Sequence, residues 1–259
     1  MRAHAGAIYG ELTAGCSRFL RLDELCRRAA AAYPGLVPSD QELKPETGIL
    51  QRDKDGLEFD QGIFLAQVLA DPQAGMHLCH AMLLPHPETP ARLAEYAKSA
   101  RLDLGGASIE RQGKASVVTM RNPRHLNAED ETTLNPLEIA VDVATLDPQT
   151  EVCVLRGGPV DNPKHAGRRL FGAGINLTHL YQGKIRLLWF MLRDMGLVNK
   201  IYRGIALPDV PPEEGSVEKP WIAALEGFAI GGHCQTLLAV DYTLAAEDAY
   251  MTLPARKEG

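Results

Sequence analysis

A chain of 259 residues with 45% hydrophobic residues and a net charge of −6 is long enough for one or two globular domains. Its acidic balance argues against a general nucleic-acid binder, and its longest apolar run, Leu187 to Leu192, is far too short to cross a membrane. Met1 to Arg18 lacks the basic-then-apolar order of a secretion signal. The five cysteines, Cys16, Cys26, Cys79, Cys153 and Cys234, are odd in number and form no CxxC, so they read as reduced thiols in a cytoplasmic protein.

The N-terminal part, residues 1–103, reads as helical. Ser17 to Tyr33 places Phe19, Leu22, Leu25, Cys26 and Ala29 at helical spacing, and Phe59 to Leu69 repeats the pattern with Phe59, Ile63, Phe64 and Val68. Thr89-Pro90 reads as an N-cap and first-turn pair for Ala91 to Ala100. Pro38, Pro45, Pro85 and Pro87 mark breaks.

The pattern changes at Leu104-Gly105-Gly106, which sets the expected domain division: a helical region over 1–103 and a second domain over 104–259. Ser108 to Gln112 and Lys114 to Met120 read as a hairpin about Gly113. A helix over Glu131 to Leu146 and a short strand over Glu151 to Arg156 follow. Gly183 to Ala206 reads as an apolar and basic helix, and Asp209 to Glu218 as an exposed loop. Trp221 to Phe228 and Tyr242 to Ala246 read as further strands. Strands alternating with helices predict an α/β layer architecture.

Three segments carry chemistry. Trp221 to Phe228 runs into Gly231-Gly232 at the start of a helix. Paired glycines let backbone approach a bound group, and a helix start offers N–H donors and a positive dipole end. Phe171-Gly172-Ala173-Gly174-Ile175-Asn176 forms a second glycine-rich turn. Donors from two such loops are what a carbonyl oxygen needs as it becomes an anion. The third segment is Arg121-Asn122-Pro123-Arg124-His125-Leu126-Asn127-Ala128.

Gly-Gly before a helix is common by itself. The three segments in this order and spacing resemble the crotonase (enoyl-CoA hydratase/isomerase) superfamily. The resemblance implies a spiral of ββα units, here preceded by the helical region. It also implies further helices after Gly259, so that the chain is expected to be a fragment. It places the oxyanion donors at the amides of Ile175 and Gly232, and coenzyme A against Arg124, His125, Leu126, Asn127 and Ala128. Hydratases of this family use two glutamates; the corresponding positions here are Gln235 and Ala255, and neither side chain titrates.

With its helical extension and Gly-Gly-His-Cys-Gln, the chain resembles a cofactor-independent dioxygenase branch of the family. That branch oxidises (3,5-dihydroxyphenyl)acetyl-CoA with dioxygen to 3,5-dihydroxyphenylglyoxylate and coenzyme A, in glycopeptide antibiotic biosynthesis. The implied partners are the arylacetyl-CoA thioester and dioxygen, with neither metal nor flavin and with coenzyme A as part of the substrate. A homo-oligomer, trimer or hexamer, is implied for the full-length protein. Glu129, Arg193 and Gln235 are the implied partners of the ring hydroxyls, with Arg186 an alternative to Arg193. Two further readings stay open: another crotonase-type hydratase, isomerase or lyase, and a non-catalytic acyl-CoA-binding subunit. His77-x-x-His80 is a poor metal site without nearby carboxylates, and His233 reads as a packing or hydrogen-bonding residue.

Overall fold

The computed structural model describes residues 4–254. The chain divides into two compact units: residues up to Leu84 together with Leu177–Gly196, and Pro85–Asn176 together with residues from Leu197 on. The division expected at 103/104 differs from this one in two places. The helix Thr89–Ser99 belongs with the sheet, and the segment Leu177–Gly196 returns to the helical unit.

The first unit is helical. The helices Ala5–Leu12, Leu22–Ala32, Glu58–Leu69 and Pro72–Leu83 bury Tyr9, Leu25, Phe64, Val68, Leu78 and Met82. The expected helix over Ser17 to Tyr33 begins only at Leu22, because Arg21 before it is extended, at φ −70° and ψ 161°. Pro72 opens its helix at the first turn behind Asp71, whose carboxylate accepts the Gln73 and Ala74 N–H groups at 3.1 and 2.9 Å. The expected single helix over Gly183 to Ala206 is broken. An α-helix spans Leu187–Leu192, a π-helical turn Arg193–Val198 and another α-helix Asn199–Arg203, before an extended pair at Ile205–Ala206.

The second unit holds the ten strands found among the described residues: β1 (Arg101–Asp103), β2 (Ala107–Gln112), β3 (Ala115–Met120), β4 (Val152–Gly157), β5 (Ile205–Ala206), β6 (Ser216–Val217), β7 (Trp221–Leu225), β8 (Phe228–Ile230), β9 (Tyr242–Ala245) and β10 (Tyr250–Thr252). The main sheet runs β1-β2-β3-β4-β7-β9. Its first three strands are antiparallel, turning at Gly113 (φ 62°) as the hairpin reading required. The pairs β3/β4, β4/β7 and β7/β9 are parallel. Alternation sends Val118, Leu155 and Ala223 to one row in neighbouring strands, and all three are fully buried. The helix Leu134–Leu146 packs against β2 and β3 and buries Leu137, Ala140, Val141 and Ala144.

Two local expectations are corrected here. Trp221 to Phe228 is not one strand: Gly227, at φ 67°, turns the chain so that β7 stays in the main sheet while β8 pairs with β10 elsewhere. Thr89 is not an N-cap. Glu88 holds that position, and the Thr89 hydroxyl donates to Asp142 Oδ2 at 2.8 Å. Asp209 to Glu218 is half exposed and half partly buried, and its end pairs as β6 with β5. None of the five cysteines forms a disulfide. Cys153 lies fully buried in β4, where burial pushes its thiol up to about 12, as suits an inert core residue. Among the described residues no helix is long and apolar enough to cross a membrane.

Candidate functional site

The parallel strands β3, β4 and β7 all deliver their C-terminal ends to one side of the sheet. The three chemistry-bearing segments follow those ends. The turn at Arg121–Ala128 leaves β3, the loop through Phe171–Asn176 follows β4, and the Gly231-Gly232 turn follows β7 by way of β8. The carboxyl ends of parallel strands are where open α/β sheets place ligands.

The turn after β3 is irregular and tightly tied. Pro123–His125 forms one 3-10 turn, and Leu126 and Asn127 both take φ 56°, a conformation that costs non-glycine residues strain. Asn127 repays it. Its buried amide donates to the Gly158 and Leu170 carbonyls at 2.8 Å each, and its Oδ1 accepts the Asn122 N–H at 3.0 Å. Arg124 is exposed, His125 and Leu126 are half-buried, and Ala128 is buried.

The same turn is stitched to the loop after β4. The Ala173 N–H donates to Leu126 O at 3.1 Å, the Glu129 N–H to Gly174 O at 2.7 Å, and the Asn176 N–H to Glu129 O at 2.8 Å. Glu129 and Ile175 therefore form a parallel bridge in which both bonds to the Glu129 segment use the neighbours of Ile175. The N–H of Ile175 itself points to the opposite side of its strand. Glu129 lies in this extended bridge and not at the start of the helix, which begins at Leu134 and not at Glu131. Its side chain is buried.

On that opposite side lies the Gly232 turn. Gly172 bridges Ala229 of β8, with the Gly172 N–H on Phe228 O and the Ile230 N–H on Gly172 O, each at 3.0 Å. Gly174 has φ 80°, and a Cβ there would lie 2.6 Å from Ile230 O and 3.3 Å from Gly232 N. Only glycine lets the two loops approach this closely. Gly231 (φ 55°) turns the chain and Gly232 opens the helix Gly232–Ala239, so the Gly232 amide stands at the positive end of that helix. Gln235 is one turn in and exposed, while His233 and Cys234 are buried.

Ile175, Gly232, Glu129, Gln235 and the Arg124–Ala128 turn thus all belong to the second unit. Arg193 belongs to the first. It is 2% exposed, heads the π-helical turn, and its Nη1 donates to Asp194 Oδ1 at 2.8 Å, whereas Arg186 is exposed. Ala255 lies outside the described residues. Among the described residues no group of three or more His, Cys, Asp or Glu side chains is placed to hold a metal ion. His77 meets Tyr9, whose hydroxyl lies 2.7 Å from its Nδ1, and stacks on Phe19.

Sequence reading missed two supports of this region, Asp130 and Asn122. Asp130 Oδ2 accepts from both Asn122 Nδ2 (3.1 Å) and Asn176 Nδ2 (2.9 Å). A clustered signal was present in Asn122, Asn127 and Asp130, three residues that favour side-chain-to-backbone bonding in turns.

The enoyl-CoA hydratase/isomerase family model matches residues 110–259, more than half of the chain, and the chain belongs to that family. It is 46% identical over 260 residues to a (3,5-dihydroxyphenyl)acetyl-CoA 1,2-dioxygenase from Amycolatopsis orientalis, a match covering 100% of this chain and 60% of that protein. A short-chain-enoyl-CoA hydratase from Clostridium acetobutylicum is 28% identical over 154 residues, covering 59% of this chain and 51% of the hydratase. Among solved structures, an enoyl-CoA hydratase/carnithine racemase from Magnetospirillum magneticum aligns with a TM-score of 0.48 and 19% identity, over 62% of this chain and 53% of that one. The chain thus spans little more than half the length of these relatives.

Proposed function

We propose that the protein of which this chain is part oxidises (3,5-dihydroxyphenyl)acetyl-CoA with dioxygen, giving 3,5-dihydroxyphenylglyoxylate and coenzyme A. The observation that carries this reading is the likeness to the named dioxygenase, which runs through the helical region as well as the family segment. The hydratase relatives match little more than half of the chain.

In this reading the Ile175 and Gly232 amides stabilise the thioester oxygen as the α-carbon loses its proton. Losing one such donor typically costs about 10²–10³ in rate. The turn Arg124–Ala128 holds the coenzyme A portion. Gln235, which can donate and accept, and Glu129, an acceptor, hold ring hydroxyls. Arg193 has the same role by resemblance, with Arg186 as the alternative. Gln235 cannot act as the general acid or base of a hydratase.

The balance closes without a further reductant. The α-carbon goes from CH2 to C=O while dioxygen is reduced to the two new oxygens of product, and the C–S bond breaks with coenzyme A leaving as the thiol. A carbanion conjugated to an electron-rich ring can pass an electron to dioxygen directly, so the reading requires neither metal nor flavin. It also places the protein in the cytoplasm as a homo-oligomer, a trimer or hexamer.

The test is dioxygen uptake from (3,5-dihydroxyphenyl)acetyl-CoA in the presence of a chelator. Uptake matched by coenzyme A release supports the reading. Coenzyme A release without uptake overturns it in favour of thioester hydrolysis.

A further inference from the structure

The geometry points to His233 as a positioning residue that fixes the spacing of the two donor amides, acting as a neutral hydrogen-bond acceptor. The inference rests on the oxyanion role proposed for Ile175 and Gly232 and adds to it the group that holds them in place.

His233 directly follows Gly232 and is fully buried. Its Nδ1 accepts the Gly174 N–H at 2.8 Å, and Gly174 directly precedes Ile175. One imidazole is therefore bonded through the chain to one donor residue and through a hydrogen bond to the neighbour of the other.

The ring has no room to move. A Cβ on Gly172 would lie 2.3, 2.5 and 2.7 Å from the ring Cε1, Nε2 and Nδ1, so the space that a side chain at residue 172 would fill is taken by the imidazole. Phe171 meets the ring edge-on, with centroids 5.8 Å apart and planes at 82°. The hydrogen bond also sets the chemistry. A nitrogen that accepts an amide N–H carries no proton, so the proton of the neutral ring sits on Nε2. An imidazolium would set two donors against each other at Nδ1 and release the Gly174–Ile175 peptide. Displacing a donor by about 1 Å is enough to cost roughly 10²-fold in rate.

A packing role and an acceptor role make opposite predictions for two substitutions. His233→Asn places an amide oxygen where Nδ1 stands but fills less space. His233→Leu fills the space without an acceptor. If the acceptor matters, His233→Asn keeps kcat within about threefold of the parent, and His233→Leu loses about 10–100-fold in kcat with KM little changed. If packing alone matters, the order reverses.

The experiment pairs those kinetics with the infrared carbonyl band of bound phenylacetyl-CoA, which lacks the ring hydroxyls. The band is expected to move to lower frequency on the parent protein and on His233→Asn, and to move less on His233→Leu. An equal band shift and equal kcat in the leucine variant would overturn the inference while leaving the donor assignment intact. No band shift on the folded, ligand-bound parent would overturn the donor assignment itself, and the inference with it. His233→Met, also without a nitrogen acceptor, replaces the leucine variant if circular dichroism shows that the latter has not folded.

Discussion

Asn176 and Asp130 are joined by a buried hydrogen bond, Asn176 Nδ2 donating to Asp130 Oδ2 at 2.9 Å. The same carboxylate oxygen accepts Asn122 Nδ2, and Oδ1 accepts the Thr132 N–H at 2.9 Å and hydroxyl at 2.6 Å. One buried carboxylate thereby clamps the turn after β3 to the end of the loop after β4. Asp130→Ala would strand several donors and is expected to cost about 2–4 kcal/mol. Asp130→Asn keeps an acceptor oxygen and is expected to cost less. Urea unfolding of the two variants measures the difference.

Gly232 stands at the first position of its helix, where proline is tolerated because the missing N–H has no intrahelical acceptor. Gly232→Pro deletes one proposed donor while leaving the helix in place. It is expected to lower kcat by about 10²–10³ or more, and to weaken thioester binding as well, because the proline Cδ stands where the N–H met the thioester oxygen. Steady-state kinetics beside circular dichroism check this. A variant that folds and turns over normally would remove Gly232 from the chemistry.

Lys200 is fully buried between two buried carboxylates. Its Nζ lies 2.7 Å from Glu138 Oε1 and 2.9 and 3.0 Å from Asp142 Oδ1 and Oδ2. Asp142 also accepts the His86 N–H at 2.6 Å and the Thr89 hydroxyl. Burial pushes the Asp142 carboxyl above its usual range despite Lys200. Lys200→Met leaves both carboxylates without their cation and is expected to cost about 3–5 kcal/mol. Adding Glu138→Gln and Asp142→Asn removes the stranded charges and is expected to recover most of the loss, read as the unfolding midpoint of the triple variant.

Asp147 sets an acid limit on stability. Burial favours its protonated form, but the Thr150 hydroxyl, Arg111 and the Gln149 N–H together hold its carboxyl below the ordinary 3.8. Arg111 binds it through Nε and Nη2 at 2.9 Å each. A carboxyl depressed in the folded state contributes stability above its unfolded pKa and loses it as pH falls through the folded one. Stability is therefore expected to decline as pH drops below about 4. Asp147→Asn is expected to be less stable at pH 7 and to decline less steeply, which thermal melts from pH 7 to pH 2 would show.

Local patterns were legible in the chain. The hairpin about Gly113, the alternation of β4 and the Gly231-Gly232 turn follow from positive-φ residues and period-two burial that neighbouring residues impose. Two breaks were hidden because the apolar pattern runs through them. Trp221 to Phe228 reads as one strand, yet Gly227 at φ 67° sends the two halves to different sheets. Gly183 to Ala206 reads as one helix, yet it contains the π-helical turn that carries Arg193. The return of Leu177–Gly196 to the helical unit is a long-range event that no local pattern encodes. The same holds for the site's supports. His233 and Gly174 meet only once β4 and β7 are side by side, and Asn127 and Leu170 only once β3 and β4 are.

The most direct test of the central claim is the mass of the product formed from (3,5-dihydroxyphenyl)acetyl-CoA under 18O-labelled dioxygen, with chelator present. The account predicts 3,5-dihydroxyphenylglyoxylate carrying oxygen from dioxygen, with one coenzyme A released per molecule. Recovery of (3,5-dihydroxyphenyl)acetate without label would contradict it, because that product needs only water.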